Sequence, residues 1–214
     1  MRRAVLVQLR LRDEPSGAWP VLVVTFTTAL RVVSSAPWGG GLGLRRFIVN
    51  AQVPPDYSRR DPDAHLAGMA AGLGLTGPGV GMLTAADVRA ARATRDGGVE
   101  VAATVGLGHP IRAAAPAGSG EQATAGTINL VALLPVRLSD AALVNAVATA
   151  TEAKAQALRD LGLDATGTAT DAVALACPAH GAPEPFGGPR SRWGGCLARA
   201  VHAAVLASPP TDRT

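Results

Sequence analysis

Residues 126–171 read GTINLVALLPVRLSDAALVNAVATATEAKAQALRDLGLDATGTATD, and this stretch decides the fold class. The apolar run over residues 128–138, interrupted by one proline, predicts a strand. The next segment favours a long helix over residues 139–161, because a serine at its start is a typical N-cap and a glycine follows its last turn. The apolar residues 168–176 predict a second strand. A helix between two apolar strands indicates a sheet with helices packed against it.

Predicted strands are more frequent in the residues before this stretch. The turn Asp96-Gly97 between two apolar segments predicts a β-hairpin. The pair Asp61-Pro62, with Asp61 as N-cap, opens a helix over residues 61–73, and a last helix is predicted over residues 193–207. The predicted strands cover residues 5–12, 21–26, 30–34, 46–53, 79–84, and, for the hairpin, 88–95 and 99–106.

The order of these elements predicts an α+β fold. Strands come first in a run and then mix with about three helices, and the strict strand–helix alternation of a doubly wound fold is missing. We therefore expect one domain over residues 1–207, with a mixed, mostly antiparallel sheet. The small, Pro- and Gly-containing segment 113–125 predicts a mobile loop, and residues 208–214 predict a frayed tail.

The composition excludes several classes of protein. The chain has 214 residues, of which 48% are hydrophobic and 17% charged, and this balance excludes a disordered protein. The longest apolar runs have about seven residues, far fewer than the roughly 20 that span a bilayer. No export signal is visible near Met1. We therefore expect a cytoplasmic protein that does not enter a membrane.

The charged side chains and the possible metal ligands argue against a nucleic-acid partner and a bound metal ion. The net charge is +4, but the basic residues are scattered and the chain has only three Trp, one Tyr and three Phe, so no nucleic-acid partner is predicted. Cys177 and Cys196 are expected to be free thiols. Cys177 and His180 form only half of a metal site, and no metal ligand set is predicted.

The predicted helix 139–161 carries Lys154, the single lysine among 20 basic residues. A lysine can lose its proton and an arginine cannot, so a lone lysine is suggestive of chemistry. Lys154 lies in the apolar side of the helix, whereas Glu152 lies on a polar stripe about 200° away. The two cannot face one site unless the helix is buried on both faces. Lys154 either extends its amine to solvent or is buried against a carboxylate such as Asp171.

Small polar residues lie at the starts of the two flanking strands. Gly126-Thr127-Ile128-Asn129 opens the first strand and Gly167-Thr168-Ala169-Thr170-Asp171 opens the second. Each Gly-Thr pair alone is compatible with an ordinary turn. Together with a buried amine and a carboxylate, the two segments predict a place where a polar group is bound or hydrolysed.

These motifs resemble those of the adenosylcobinamide amidohydrolases. The similar segments are residues 126–129, 149–154 and 167–172, in that order along the chain. The resemblance runs from about residue 35 to 205, and Ala169 replaces a glycine of the family's pattern. Further agreement lies in Asn50, Asp61-Pro62, residues 79–86 and 104–107, Gly187-Gly188 and Gly194.

The resemblance implies an amidohydrolase that acts in the salvage of cobamides. The implied reaction hydrolyses the amide between aminopropanol and the corrin side chain of adenosylcobinamide, which yields adenosylcobyric acid and 1-amino-2-propanol. The corrinoid is then the substrate, and no cofactor is expected. A homo-oligomer is compatible with the sequence.

Amide hydrolysis needs an activated nucleophile, an oxyanion donor and an acid for the leaving amine. We expect Asp171 to be the general base on water, or the partner of Lys154. Lys154 then stabilises the oxyanion or protonates the amine, and Glu152 is the rival base. Asn129 and the hydroxyls of Thr127 and Thr168 are expected to orient the amide. Other candidate substrate contacts are Asn50, Thr84, Thr104, Thr149, Thr170 and the loop of Trp38, Gly39 and Gly40, whose glycines would let the backbone approach the corrin face.

Three alternatives stay open at this point. Thr127 could be an N-terminal nucleophile exposed by cleavage of the Gly126–Thr127 bond, with its free amine as the base. The protein could instead bind a corrinoid without turning it over, and would then not depend on Lys154 or Asp171. It could also be an unrelated small-molecule amidase on the same scaffold.

Overall fold

A computed structural model describes residues 5–15, 17–116 and 126–208 of the chain. The expected α+β class is confirmed, with three α-helices and one mixed sheet of eight strands within these residues. The strands are β1 Val5–Glu14, β2 Gly17–Ser34, β3 Gly41–Gln52, β4 Gly79–Thr84, β5 Arg92–Asp96, β6 Val99–Val105, β7 Ile128–Leu133 and β8 Ala172–Cys177. The helices are α1 Pro62–Gly72, α2 Asp140–Asp160 and α3 Arg192–Leu206.

The sheet has the strand order β4-β3-β2-β8-β7-β6-β5, and β1 pairs with β2 beside this path. The pairs β3–β4 and β7–β8 are parallel, and the other pairs are antiparallel. Helix α2 connects the parallel strands β7 and β8. Because β7 and β8 are parallel, they begin at the same end of the sheet. Residues 126–129, at the start of β7, and residues 167–171, directly before β8, therefore lie beside each other.

Two predicted strands are one strand in the structure. Residues 21–26 and 30–34 both belong to β2, whose register against β3 shifts between Thr25 and Leu30. The shift bends the strand, so that its first half pairs with β1 and its last residues pair with β8. The prediction of a break was wrong because a bulge carries the same local signal as a turn.

Other predicted boundaries also moved. The hairpin at Asp96-Gly97 is confirmed, but residues 88–90 form a short 3₁₀ helix before it. The strand predicted from residue 168 begins only at Ala172, because the side chain of Asp171 binds the backbone of this segment and replaces strand pairing there. The loop prediction for 113–125 and the tail prediction for 208–214 fall largely on residues 117–125 and 209–214, outside the described residues.

The predicted helix starts are confirmed, although the two caps differ. Ser139 accepts a hydrogen bond from the Ala142 N–H at the start of α2. Asp61 precedes α1, but its carboxylate pairs with Arg59 and makes no cap hydrogen bond. Within the described residues, no helix is both long enough and apolar enough to cross a membrane.

The sheet curls, and this curl positions the site. Helices α2 and α3 pack on β6, β7 and β8 through one apolar cluster, and α1 packs on β2 and β3 through another. A third cluster joins Ile48 on β3 and Met82 on β4 to Val131 on β7. Strands β3 and β7 are separated by two strands in the sheet order, so contact between them requires that their inner faces approach each other.

Candidate active site

An ion pair between α2 and the loop before β8 lies at the centre of the site. Lys154 is 7% exposed, and its Nζ donates a hydrogen bond to Asp171 Oδ2. Gly167 makes this contact possible, because a Cβ at that position would overlap both atoms of the pair. Of the two alternatives for Lys154, the structure shows the buried lysine paired with Asp171.

The carboxylate of Asp171 is held by four donors. Oδ1 accepts the Ile128 N–H at 2.9 Å and lies 2.5 Å from the hydroxyl of Thr168. Oδ2 accepts the Thr168 N–H at 3.1 Å and the ammonium of Lys154. An ionised carboxylate has about four lone-pair positions, so this set occupies them all. The position of the side chain is fixed between β7, α2 and its own loop.

The hydroxyl of Thr168 lies between two acceptors. Its Oγ1 is 2.7 Å from the carbonyl oxygen of Gly126 and 2.5 Å from Asp171 Oδ1, but it has one proton to donate. When Asp171 is ionised, Thr168 donates to it. When Asp171 carries a proton, it can donate to Thr168, which then donates to Gly126. Thr168 can therefore hydrogen-bond to Asp171 whether the carboxyl group is ionised or protonated.

Two further threonines extend this cluster. Thr127 Oγ1 lies 2.7 Å from Thr170 Oγ1, and Thr170 Oγ1 lies 3.3 Å from the Gly126 carbonyl oxygen. Across the site, Thr84 Oγ1 accepts a hydrogen bond from the Ala86 N–H at 3.0 Å.

The cluster opens into a cleft with a volume of about 420 Å³. The polar residues Thr84, Thr127, Thr170 and Asp171 are among its lining. Lys154 lies behind Asp171 and is not among the described residues that line the cleft. A concave site of this size with a few convergent polar groups is typical of small-molecule sites. The remaining lining residues are Ser35, Pro37, Val53, Tyr57, Arg59, Pro62, Leu83, Ala85 and Ala172.

The sequence comparisons identify the family of the chain. A model of the family described as adenosylcobinamide amidohydrolase matches residues 5–212. The chain belongs to this family.

Two similar proteins carry the name of the same family. The adenosylcobinamide amidohydrolase of Halobacterium salinarum is 34% identical over 181 residues, which are 81% of this chain and 78% of the relative. The adenosylcobinamide amidohydrolase of Methanosarcina mazei is 30% identical over 177 residues, 78% of this chain and 84% of the relative. An uncharacterised protein of Methanocaldococcus jannaschii is 32% identical over 89 residues, 38% of this chain and 34% of the relative.

Three of the candidate contacts in this family member form a buried bridge instead of lining the cleft. Asn50 donates to Thr104 Oγ1 at 2.9 Å, and Asn129 donates to Asn50 Oδ1 at 2.8 Å and to the Leu83 carbonyl at 2.9 Å. All three side chains are buried. The bridge ties β3 to β7 and holds the curl of the sheet beneath the cleft, whereas contact with substrate was the expectation.

The glycine loop also differs from the expectation. A Cβ at Gly39 would overlap the Gly79 carbonyl, and one at Gly40 would overlap the Ala36 carbonyl. The ring of Trp38 packs 6.0 Å from that of Phe47. These glycines permit close packing of the chain on itself, and in the described structure Trp38, Gly39 and Gly40 do not line the cleft.

The polar residues on one side of α2 differ in their exposure to solvent. Thr149, expected to contact substrate, is buried, donates to the Gly187 carbonyl at 2.9 Å and is not among the described residues that line the cleft. Glu152 and Gln156 are exposed along a separate groove that also contains Arg159. The structure therefore brings Lys154, Asp171, Thr127, Thr168 and Thr170 together and leaves Glu152 outside that cluster.

Sequence reasoning missed one group of residues at the cleft. Tyr57 lines the cleft, and its hydroxyl lies 3.0 Å from His65 Nδ1. Burial raises the pKa of the Tyr57 phenol. The available signal was that Tyr57 is the single tyrosine of the chain, in the loop directly before α1.

The thiols and possible metal ligands lie away from this cluster. Cys177 and Cys196 are free and buried, and burial raises the pKa of both thiols. A raised pKa leaves little reactive thiolate. Over residues 5–15, 17–116 and 126–208, no group of three or more His, Cys, Asp or Glu side chains could hold a metal ion.

Proposed function

We propose that this chain hydrolyses the amide that joins aminopropanol to the corrin side chain of adenosylcobinamide, at the cleft lined by Asp171. The products are adenosylcobyric acid, which keeps the corrin ring for cobamide synthesis, and 1-amino-2-propanol. The observation that carries the proposal is the Lys154–Asp171 pair with three threonine hydroxyls at one cleft, in a member of this family.

The size of the cleft fits one arm of such a substrate. Its volume of about 420 Å³ accommodates an amide with a short hydroxylated chain, but it is too small for the corrin ring with its peripheral amides and adenosyl ligand. The ring then lies over the mouth, and the apolar residues Pro37, Val53 and Pro62 are among those that line the cleft. The cleft thus selects the arm, and the mouth supports the ring.

Asp171 is the proposed general base. It lines the cleft, but its lone pairs are filled at rest, so the hydroxyl of Thr168 first turns from Oδ1 to the Gly126 carbonyl. The Oδ1 position that this frees accepts a proton from the attacking water, whose oxygen bonds to the amide carbon. The protonated carboxyl then donates to Thr168, whose hydroxyl donates to Gly126. Because no hydrogen bond is lost in this exchange, the base can hold the proton while the carbon–nitrogen bond breaks.

Lys154 stabilises negative charge in the site, and the threonines orient the substrate amide. The ammonium of Lys154 keeps the carboxylate in place and adds positive charge beneath the developing oxyanion. Thr127 and Thr170 present hydroxyls that can orient the amide. In the intact chain the nitrogen of Thr127 is part of a peptide bond and the neighbour of Thr127 Oγ1 is the Thr170 hydroxyl, so neither can act as a base, and we assign Thr127 to orientation and not to nucleophilic attack.

The test is incubation of the purified chain with adenosylcobinamide, followed by mass spectrometry of both products. We expect adenosylcobyric acid and 1-amino-2-propanol in equal amounts, before and after EDTA treatment. Tight binding without product would instead favour a corrinoid carrier. Folded protein that neither binds nor converts the substrate would contradict the proposal.

The intact mass of the active protein separates water from a processed Thr127. We expect one species of 21.6 kDa, the mass of the whole chain. Two fragments that join at Gly126–Thr127, appearing with activity, would replace the water mechanism by an N-terminal threonine.

A further inference from the structure

A chain of hydrogen bonds leads from the cleft to β1. Tyr57 Oη lies 3.0 Å from His65 Nδ1, and His65 Nε2 lies 3.0 Å from Glu14 Oε1. These residues come from the loop before α1, from α1 and from β1. The side chains of His65 and Glu14 are 12% and 19% exposed, so the inner links of the chain are largely shielded from water.

The groups at the two ends of this chain, Glu14 and Tyr57, decide which ring nitrogen of His65 carries a hydrogen. An ionised Glu14 can only accept, so His65 Nε2 carries a hydrogen and the neutral ring accepts the Tyr57 hydroxyl at Nδ1. If the ring gains a proton, Nδ1–H donates to Tyr57 Oη. The hydroxyl of Tyr57 is then free to donate into the cleft. The charge of His65 therefore decides whether Tyr57 accepts or donates at the cleft wall.

The surroundings support a donor at this position. Arg12 donates to Glu14 Oε1 at 3.0 Å and to the Gln52 carbonyl at 2.8 Å, which holds Glu14 in place on β1. The other nearby charges are Arg59 and Asp61, which form an exposed pair at the start of α1. Burial raises the pKa of Tyr57, so the phenol keeps its proton near neutral pH.

Among the described residues of the cleft, the leaving amine still needs an acid that can give up a proton. Lys154 lies behind Asp171, and the guanidinium of Arg59 does not give up a proton. The phenol of Tyr57 lines the same cleft as Asp171. We propose that Tyr57 is the catalytic acid that protonates the departing amine, with His65 and Glu14 as positioning residues that return its proton.

The proton balance of this step closes. When the carbon–nitrogen bond breaks, its electron pair takes the Tyr57 hydroxyl proton. Tyr57 recovers a proton from the imidazolium of His65, which later takes one from solvent. Asp171 releases to solvent the proton that it accepted from the attacking water. The inference rests on the proposed function, because it assigns the acid of that same reaction.

Tyr57→Phe tests the acid directly with two substrates. A general acid contributes roughly 10²- to 10⁴-fold, so we expect kcat on adenosylcobinamide to fall about 100-fold or more while the substrate Kd changes little. The second substrate is the nitrophenyl ester of adenosylcobyric acid, whose nitrophenolate departs as a stable anion without protonation. On that substrate we expect a loss of less than about 5-fold, because the acid is no longer needed.

The His65→Gln variant tests the supply of protons. Tyr57 donates into the cleft only while His65 carries a proton, so we expect the wild-type kcat to fall on the alkaline side and His65→Gln to lack that limb. His202→Gln is the matched control, because His202 also pairs with a carboxylate, Asp160 at 2.7 Å, but away from the cleft. We expect the control to keep the wild-type pH profile.

Each outcome decides between catalysis and structure. An equal loss of kcat on both substrates in Tyr57→Phe would overturn the acid role, as would an unchanged alkaline limb in folded His65→Gln. Wild-type hydrolysis with an unaffected Tyr57→Phe would refute this inference and leave the proposed function standing. A wild-type chain without any hydrolysis would remove the proposed function itself.

Discussion

The two faces of helix α2 contrast sharply. Lys154 is buried, paired with Asp171 and enclosed by the loop that Gly167 permits. Glu152, only two residues earlier, is exposed on a surface groove with Gln156 and Arg159. Both are ionisable residues on one helix, yet only one contacts the threonine cluster. The side on which a residue lies, and what packs against that side, therefore decides which charge belongs to the site.

Among the variants that test this contrast, removal of Lys154 should have the largest effect on turnover and stability. Lys154→Met leaves the Asp171 charge without its buried partner, which should lower the free energy of unfolding by about 3 kcal/mol. We expect turnover to fall by roughly 10³-fold, because oxyanion stabilisation is lost as well. Thermal unfolding and a product assay measure the two effects. The double variant Lys154→Met/Asp171→Asn should regain stability but not turnover; recovery of both would show that the pair is only structural.

The next largest effect should come from Gly167→Ala. The added Cβ overlaps Asp171 Oδ2 and Lys154 Nζ, so the pair must separate. Overpacking of this kind costs about 1–3 kcal/mol, and we expect a loss of turnover of roughly 10- to 100-fold. Gly68→Ala on α1 is the control, because a Cβ there meets no atom within 4 Å. Equal turnover in the two variants would contradict the tight geometry of the pair.

Thr168 should show a smaller effect that depends on its hydroxyl. Thr168→Val removes the hydroxyl that lies between Gly126 and Asp171, and we expect a roughly 10-fold loss in kcat because ionised Asp171 loses a donor and protonated Asp171 loses its acceptor. Thr168→Ser keeps the hydroxyl and should stay within about 3-fold of wild type by the same reasoning. If the serine variant is as slow as the valine variant, the exchange of partners at Asp171 is not part of the reaction.

Glu152→Gln should have the smallest effect. Glu152 is exposed and lies outside the cluster, so its neutralisation should leave turnover within about 2-fold and stability within about 0.5 kcal/mol. Steady-state rates and a melting curve are sufficient to check this. A large loss of kcat would return Glu152 to the list of candidate bases and reverse the contrast between the two faces.

The comparison also shows what sequence periodicity can and cannot supply. The hairpin at Asp96-Gly97, the strand Gly79–Thr84 and the three helices follow from local signals, and the structure confirms them. The opposition of Lys154 and Glu152 follows from helix geometry. These features depend on residues that are close in the chain.

The remaining features depend on contacts between distant residues. Thr149 was expected to contact substrate, because helix periodicity does not reveal the loop of Gly187 that covers it. Asn50 and Asn129 meet only because the sheet curls, and His65 and Glu14 are 51 residues apart. Such contacts leave no local pattern, which explains why the Tyr57 group was missed.

The most direct measurement of the central claim is the turnover of Asp171→Asn beside that of Asp164→Asn. Asp164 is an exposed carboxylate paired with Arg112 and serves as the matched control. We expect Asp171→Asn to fold and to lose roughly 10³-fold or more in kcat on adenosylcobinamide, since it removes the base, whereas Asp164→Asn should keep the wild-type rate. Near-normal turnover of folded Asp171→Asn would contradict the account.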